Sequence, residues 1–235
     1  MTDILSRAHY QYFEYQKMQK ICRSFRGKRI LDVGCGNGKY LTLFAAQGCS
    51  VTGVDANPSQ VKDLRQRGFD AYVPQEFIQK DPFDLIILAH VIEHMGPETL
   101  LDFMDHYLPL LADDGRLLVI TPVLGDRFYY DPTHVRPYYP QSLWMLIGSL
   151  QTPVQRRSRH YMELEDIYFF RDAWRPRGWR WYYPVHGKPL VTKIVNYISM
   201  TLAWLHVLSG GHCGTRASWL GLYRKAQPRT SAATD

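Results

Sequence analysis

The sequence predicts an α/β fold in which short buried strands alternate with amphipathic helices. Three stretches predict it. "RILDVG" (29–34) is an apolar run that ends in glycine, and "YLTLFAAQG" (40–48) follows it with helical spacing and a closing Gly48. "SVTGVD" (50–55) is a second strand, ending on Asp55. In "ANPSQVKDLRQRG" (56–68), Asn57 is the expected cap, Pro58 the first helical residue and Gly68 the residue just past the end. The order is β-α-β-α, the unit from which parallel sheets are built.

The remaining elements follow in turn. "FDAYVP" (69–74) is a short third strand, and a fourth runs from Asp84 to Leu88 within "PFDLIILAHVIEHM" (82–95). "PETLLDFMDHYLPLLADDG" (97–115) predicts an amphipathic helix with apolar residues at 100, 101, 104, 108 and 111 and a turn at Gly115. "RLLVITP" (116–122) is strand five. After a loop, Pro140 opens a helix with Leu143, Leu146 and Ile147 on one face. "TPVQRRSRHYMEL" (152–164) reads as strand six, and "IVNYISMTLAWLHVL" (194–208) as an uncharged helix too short to cross a bilayer.

Composition sets the bounds. With 235 residues, 46% hydrophobic and 21% charged, the chain is globular and long enough for one sizeable domain, expected over 1–226 with a disordered tail at 227–235. Its first twenty residues are interrupted by charge, unlike a signal peptide, so a cytoplasmic location is expected. Cys22, Cys35, Cys49 and Cys213 share no metal-ligand spacing, which points to reduced thiols. The formal charge of +6, concentrated in "QRRSRHY" (155–161) and "RDAWRPRGWRW" (171–181), suits an anionic partner, or else a solvated face over an aromatic core.

The chemistry lies in the first glycine turn. Gly34, Gly36 and Gly38 read G-x-G-x-G, whereas a dinucleotide loop reads G-x-G-x-x-G and receives a pyrophosphate. Asp32, two residues before Gly34, would repel that anion. A cationic ligand suits it better. S-adenosylmethionine carries a sulfonium and an ammonium group, which Asp32 attracts, and a ribose diol, whose hydroxyls Asp55 can accept.

On "LDVGCGNGKY" and "VTGVDAN" the chain resembles the class I S-adenosylmethionine-dependent methyltransferases. The resemblance is strong over 28–122 and looser beyond. It implies a Rossmann-like sheet of seven strands, mostly parallel with an antiparallel last strand at 218–226, and helices on both faces. It implies a leading helix (1–27) acting as a lid, a cofactor-binding core (28–150), and a long helical insertion at about 167–216 between strands six and seven. S-adenosylmethionine, released as S-adenosylhomocysteine, would be held by Asp32, Gly34, Cys35, Gly36, Gly38, Asp55, Ala56, Gln75, Ala89 and His90.

Two later motifs bear on catalysis. In "HVIEHM" (90–95), His90 is expected near the methyl group, Glu93 and His94 as structural more than catalytic, and no metal, because a third ligand is missing nearby. In "DPTHVRPYY" (131–139), His134 is the preferred general base and Arg136 orients the acceptor, although both residues also suit a purely bracing role. His9, Tyr10, Tyr12, Arg136 and Tyr138 are the expected acceptor contacts. The late helix reads as a buried cap or as a helix lying in a membrane interface, giving a peripheral contact through 171–208. "THVRPYYPQSL" after "VIEHM" is similar to methyltransferases of bacterial surface-polysaccharide and lipid-linked sugar pathways, implying O-methylation of a sugar or small acceptor. An RNA methyltransferase and a non-catalytic S-adenosylmethionine binder are the alternatives.

Overall fold

The structure, a computed structural model, describes residues 2–78, 81–148, 156–174 and 189–227. Seven strands form one sheet in the order β3-β2-β1-β4-β5-β7-β6. They are β1 (Arg29–Val33), β2 (Ser50–Val54), β3 (Asp70–Tyr72), β4 (Phe83–Ala89), β5 (Leu111–Pro122), β6 (Tyr161–Asp172) and β7 (Thr215–Ala226). The first five run parallel, and the arrangement turns antiparallel across β5, β7 and β6. Successive strands step one way from β1 to β3 and the other way from β4 onward. The crossing between β1 and β4 is where open α/β sheets receive ligands, at the carboxyl ends of the strands.

The helices are α1 (Thr2–Arg7), α2 (Tyr10–Ser24), α3 (Lys39–Ala45), α4 (Pro58–Gln66), α5 (Pro97–Tyr107), α6 (Pro140–Ile147) and α7 (Pro189–Leu208). The cap expected at Asn57 is present: its side chain accepts from the Ser59 N–H at 3.0 Å. The near-continuous apolar strands β4 and β5 are buried from Leu85 to Leu88 and from Leu117 to Ile120, as sheets covered on both faces require. Among the described residues no helix is long and apolar enough to cross a membrane.

Two elements differ from the sequence reading. The helix expected over 97–115 ends at Tyr107, because Pro109 has no N–H to continue the ladder. A short 3₁₀ turn (Leu108–Leu110) leads straight into β5. Strand six, expected at 152–164, lies instead at Tyr161–Asp172. The arginines before it are drawn to the acidic face of α5. Arg156 pairs with Glu98 and Asp102, while the Ser158 hydroxyl and the Arg159 N–H both donate to Asp105. Residues 156–159 therefore lie along a helix rather than in a ladder, and this part of the basic excess is neutralised within the chain. The other basic stretch falls mostly at 175–181, outside the described residues.

The chain divides into two compact units. One comprises Met1–Met18 and Phe169–Ser218, so the leading helices and the long insertion group together. There Ala8, Ala173 and Ala203 form a small core, the Tyr10 N–H donates to Asp172 at 3.0 Å, and Phe13 meets the His206 ring edge-on. The other comprises Gln19–Tyr168 and Trp219–Asp235. In it, fully buried Trp219 donates its indole N–H to the Tyr138 carbonyl at 2.8 Å. All four cysteines are free, and burial pushes the Cys22 thiol up to about 11.

Candidate functional site

At the carboxyl end of β1, Gly34, Gly36 and Gly38 all take positive φ values, of 78°, 50° and 77°. Neighbouring side chains crowd Gly34 and Gly38, the latter through Leu64, but not Gly36. A Cβ on Gly34 would stand 2.3 Å from a methyl of Val91, and one on Gly36 would meet no protein atom within 4 Å. Gly34 therefore lets the turn after β4 pack against the loop. Gly36 leaves a side of the loop open, as a site for close backbone approach to a ligand requires.

Asp55 ties this loop to the end of β2. One carboxylate oxygen accepts the Gly36 N–H and the other the Asn57 N–H, each at 2.8 Å. Each oxygen keeps acceptor capacity for a ligand hydroxyl. The Gly34 and Cys35 N–H groups both donate to the Val54 carbonyl. Cys35 serves through its backbone only: its side chain is buried and faces Gly53, and burial raises its thiol well above the ordinary range.

Asp32 sits on β1 in register with Gly53 of β2 and Ile87 of β4. It is 2% exposed, and its Oδ2 has no hydrogen-bond partner. Burial first, and then repulsion from Asp55, push its carboxyl up to about 7. An orphaned buried carboxylate oxygen is costly unless something completes it, and a cationic group does so. The loop that a Cβ would obstruct, the diol-accepting acid and the orphaned carboxylate together fit S-adenosylmethionine. Of the other expected cofactor contacts, Ala56 and Gln75 are exposed on the turns after β2 and β3, and Ala89 closes β4.

Beyond β4 the backbone is strained. His90 has φ of 58°, a left-handed value that no other non-glycine takes among the described residues. Its N–H donates to Ile120 on β5 at 2.8 Å, and its Nδ1 lies 3.4 Å from Glu93 Oε1. Glu93 is fully buried (0% exposed). Its carboxylate accepts the Thr121 hydroxyl at 3.1 Å, and its carbonyl accepts the N–H groups of Val135 and Arg136 at 2.8 and 3.2 Å. Glu93 thus fastens β5 and the 131–136 loop to one turn. Thr121, which the sequence reading did not single out, has only the weak signal of a hydroxyl inside an apolar strand.

The loop carries its own bracing. Asp131 accepts from the Thr133 N–H at 2.9 Å and hydroxyl at 2.5 Å, and these bonds hold its carboxyl below the usual range. His94 Nδ1 lies 3.2 Å from the Thr133 carbonyl. His134 Nδ1 lies 2.7 Å from the Phe128 carbonyl, while its Nε2 lies 3.8 Å from Asp131. A carbonyl only accepts, so Nδ1 of each histidine carries a proton, and in the neutral ring the lone pair falls on Nε2. Ligand-type atoms of Glu93, His94 and His134 come within 4.8 Å of one another, and each of these residues is bonded within the loop framework.

The expected acceptor contacts belong to two different units. Arg136 is exposed, with its guanidinium over the Tyr138 ring. Tyr138 is 1% exposed and donates its hydroxyl to the Met95 carbonyl at 3.0 Å, so it is a strut in the core instead of the acceptor contact expected. His9, Tyr10 and Tyr12 are half-buried in the unit built from the leading helices and the insertion. There the His9 Nδ1 accepts the Gln11 N–H at 3.4 Å, and Tyr12 packs edge-on against Phe13.

A family model described as a methyltransferase domain matches residues 7–204. A ubiquinone biosynthesis O-methyltransferase of Xylella fastidiosa (strain M23) is 34% identical over 109 residues, which is 42% of this chain and 43% of that protein. The chain thus spans less than half the length of that relative. An uncharacterized methyltransferase of Staphylococcus carnosus is 26% identical over 60% of this chain and 69% of its own length. Among solved structures, a SAM-dependent methyltransferase from Archaeoglobus fulgidus superposes with a TM-score of 0.55 at 17% identity, covering 93% of this chain and all of that one. Coclaurine N-methyltransferase, solved with N-methylheliamine and SAH, gives 0.53 at 16% identity over 90% and 72%. The glycine loop, the two acids at adjacent strand ends and the family match agree: the chain belongs to the methyltransferase-domain family.

Proposed function

We propose that the chain methylates a hydroxyl group of a small acceptor, with His134 as general base. The observation that carries this reading is the Phe128 carbonyl on His134 Nδ1, which places the lone pair of the neutral ring on Nε2. When bound, S-adenosylmethionine supplies an electrophilic methyl group on a sulfonium. Asp32 would complete its orphaned oxygen with the ammonium group, Asp55 would accept hydrogen bonds from the ribose hydroxyls, and the open side of Gly36 would admit the amino-acid end. With the cofactor bound, His134 would take the acceptor's hydroxyl proton, and nearby Asp131 would stabilise the imidazolium it becomes. Arg136, exposed on the same loop, orients an anionic part of the acceptor.

For the acceptor we infer a sugar hydroxyl of a cell-surface glycan precursor, on the likeness of "THVRPYYPQSL" and "VIEHM" to enzymes of such pathways. The name of the Xylella fastidiosa relative favours a second reading, a phenolic hydroxyl on a quinone precursor. Methyl-labelled cofactor, purified protein and fractionated cell extract separate the two. Label in lipid-linked sugar or polysaccharide supports the first reading, and label in a phenolic lipid the second. Label only in nuclease-sensitive material overturns both, and label nowhere leaves a non-catalytic cofactor binder.

A further inference from the structure

Helix α7 is buried on one side and apolar but exposed on the opposite one. One side, carrying Ser199, Ala203 and His206, is buried within its own unit, where Ala203 joins Ala8 and Ala173. The other side is bare. Ile194, Tyr197, Ile198, Trp204, Leu205 and Leu208 are all exposed, Tyr197 at 77% and Leu208 at 76%. At about 100° per residue these six fall within an arc of roughly 120°, centred opposite the buried side. Thr201 lies in the same arc, and its hydroxyl donates to the Tyr197 carbonyl at 3.1 Å, so even this polar group is satisfied inside the helix. The cap reading of the sequence therefore describes one side of the helix and leaves the other unexplained.

The charges around it select what covers it. Helix α7 contains no acid, and exposed Lys193 flanks the stripe. The preceding sequence from 173 to 188 carries Arg175, Arg177, Arg180 and Lys188 without a single acid, interleaved with Trp and Tyr. In a chain of net charge +6, pairing this side with a second copy would bring like charges together. We propose that the outer side of α7 docks on the headgroup region of an anionic lipid bilayer, lying flat with Tyr197 and Trp204 at the polar–apolar boundary. A helix not long and apolar enough to span, with aromatic and aliphatic residues on one side and flanking cations, matches that environment. The inference is independent of the acceptor, because vesicle binding is read without methyl transfer.

The test is co-sedimentation of the full chain with vesicles of phosphatidylcholine alone, or with about 30 mol% phosphatidylglycerol. Partition to the anionic vesicles should exceed that to the neutral ones by about tenfold or more and fall with added salt. The double variant Trp204→Ser, Leu208→Ser should partition about tenfold less while retaining wild-type cofactor affinity and circular dichroism. Equal partition of the variant and wild type, or no partition of wild type, overturns the proposal. So does a wild-type dimer that sediments as monomer once these two residues are changed and never binds vesicles, since that result assigns the side to a second copy.

Discussion

The Phe128 carbonyl lies 2.7 Å from His134 Nδ1, and the Asp131 carboxylate lies 3.8 Å from Nε2 of the same ring. The first contact fixes the tautomer. The second favours the ring once it has taken a proton. Replacing His134 with Ala should lower kcat by about 10²- to 10⁴-fold and leave cofactor affinity within about twofold. Single-turnover rates and calorimetric titration check the two halves, and full turnover in the variant would remove His134 from the chemistry.

Asp32 makes the unliganded protein sensitive to pH. Its carboxyl ionises at about 7 in the folded chain because of burial and Asp55, and in the ordinary carboxylate range once unfolded. Between about pH 4 and 7 the folded chain therefore holds a proton that the unfolded chain has lost, so stability falls as pH rises through that window. Above it the penalty is constant, at most about 4 kcal/mol. Without cofactor, Asp32→Asn should melt higher than wild type at pH 8 and alike near pH 4, yet bind cofactor at least about tenfold more weakly. A variant that melts lower at pH 8 would mean that the carboxylate already has a partner.

The two glycine positions separate folding from binding. Gly36→Ala adds a methyl that meets no protein atom within 4 Å, so its fold cost is the left-handed backbone alone, about 1–2 kcal/mol. The same methyl occupies the open side of the loop, and cofactor affinity should drop about tenfold or more. Gly34→Ala drives a carbon to 2.3 Å from Val91 and should destabilise the chain by a further 1–3 kcal/mol, roughly. Chemical denaturation read beside cofactor titration distinguishes them.

Thr121→Val removes the hydroxyl that meets buried Glu93. The expected loss is about 1–3 kcal/mol of stability, with a lower kcat and an unchanged cofactor affinity, because the turn it steadies also carries the 131–136 loop. A variant with wild-type kcat would show that the loop holds its place without this bond.

By contrast, Arg156→Ala should cost less than about 1 kcal/mol in thermal melts, although Arg156 touches two acids of α5. The partners are exposed, and water competes for them.

The cofactor half was legible because its residues are local. Turn chemistry places Gly34 to Gly38 after β1 and Asp55 after β2, and the strand register brings them together without any long-range information. Long-range partners were not legible. Nothing near Arg156 in sequence announces Glu98 and Asp102, so the basic run read as a strand. Likewise nothing in "DRFYY" marks the Phe128 carbonyl as the group that sets the His134 tautomer. Pro109 did carry its own signal, which the apolar spacing through 108 and 111 masked. Tyr138 looked available because neighbouring Tyr139 and Arg136 are exposed, but the Met95 carbonyl and Trp219 that enclose it come from distant segments.

The loop that carries His134 is held by main-chain bonds: the Val135 and Arg136 N–H groups both end on the Glu93 carbonyl. Any residue except proline supplies such an N–H. The frame therefore imposes almost no side-chain requirement at 135 and 136, where Val135 and Arg136 point outward. If Arg136 meets the acceptor as proposed, substrate preference is free to drift there through successive substitutions while the scaffold beneath stays intact.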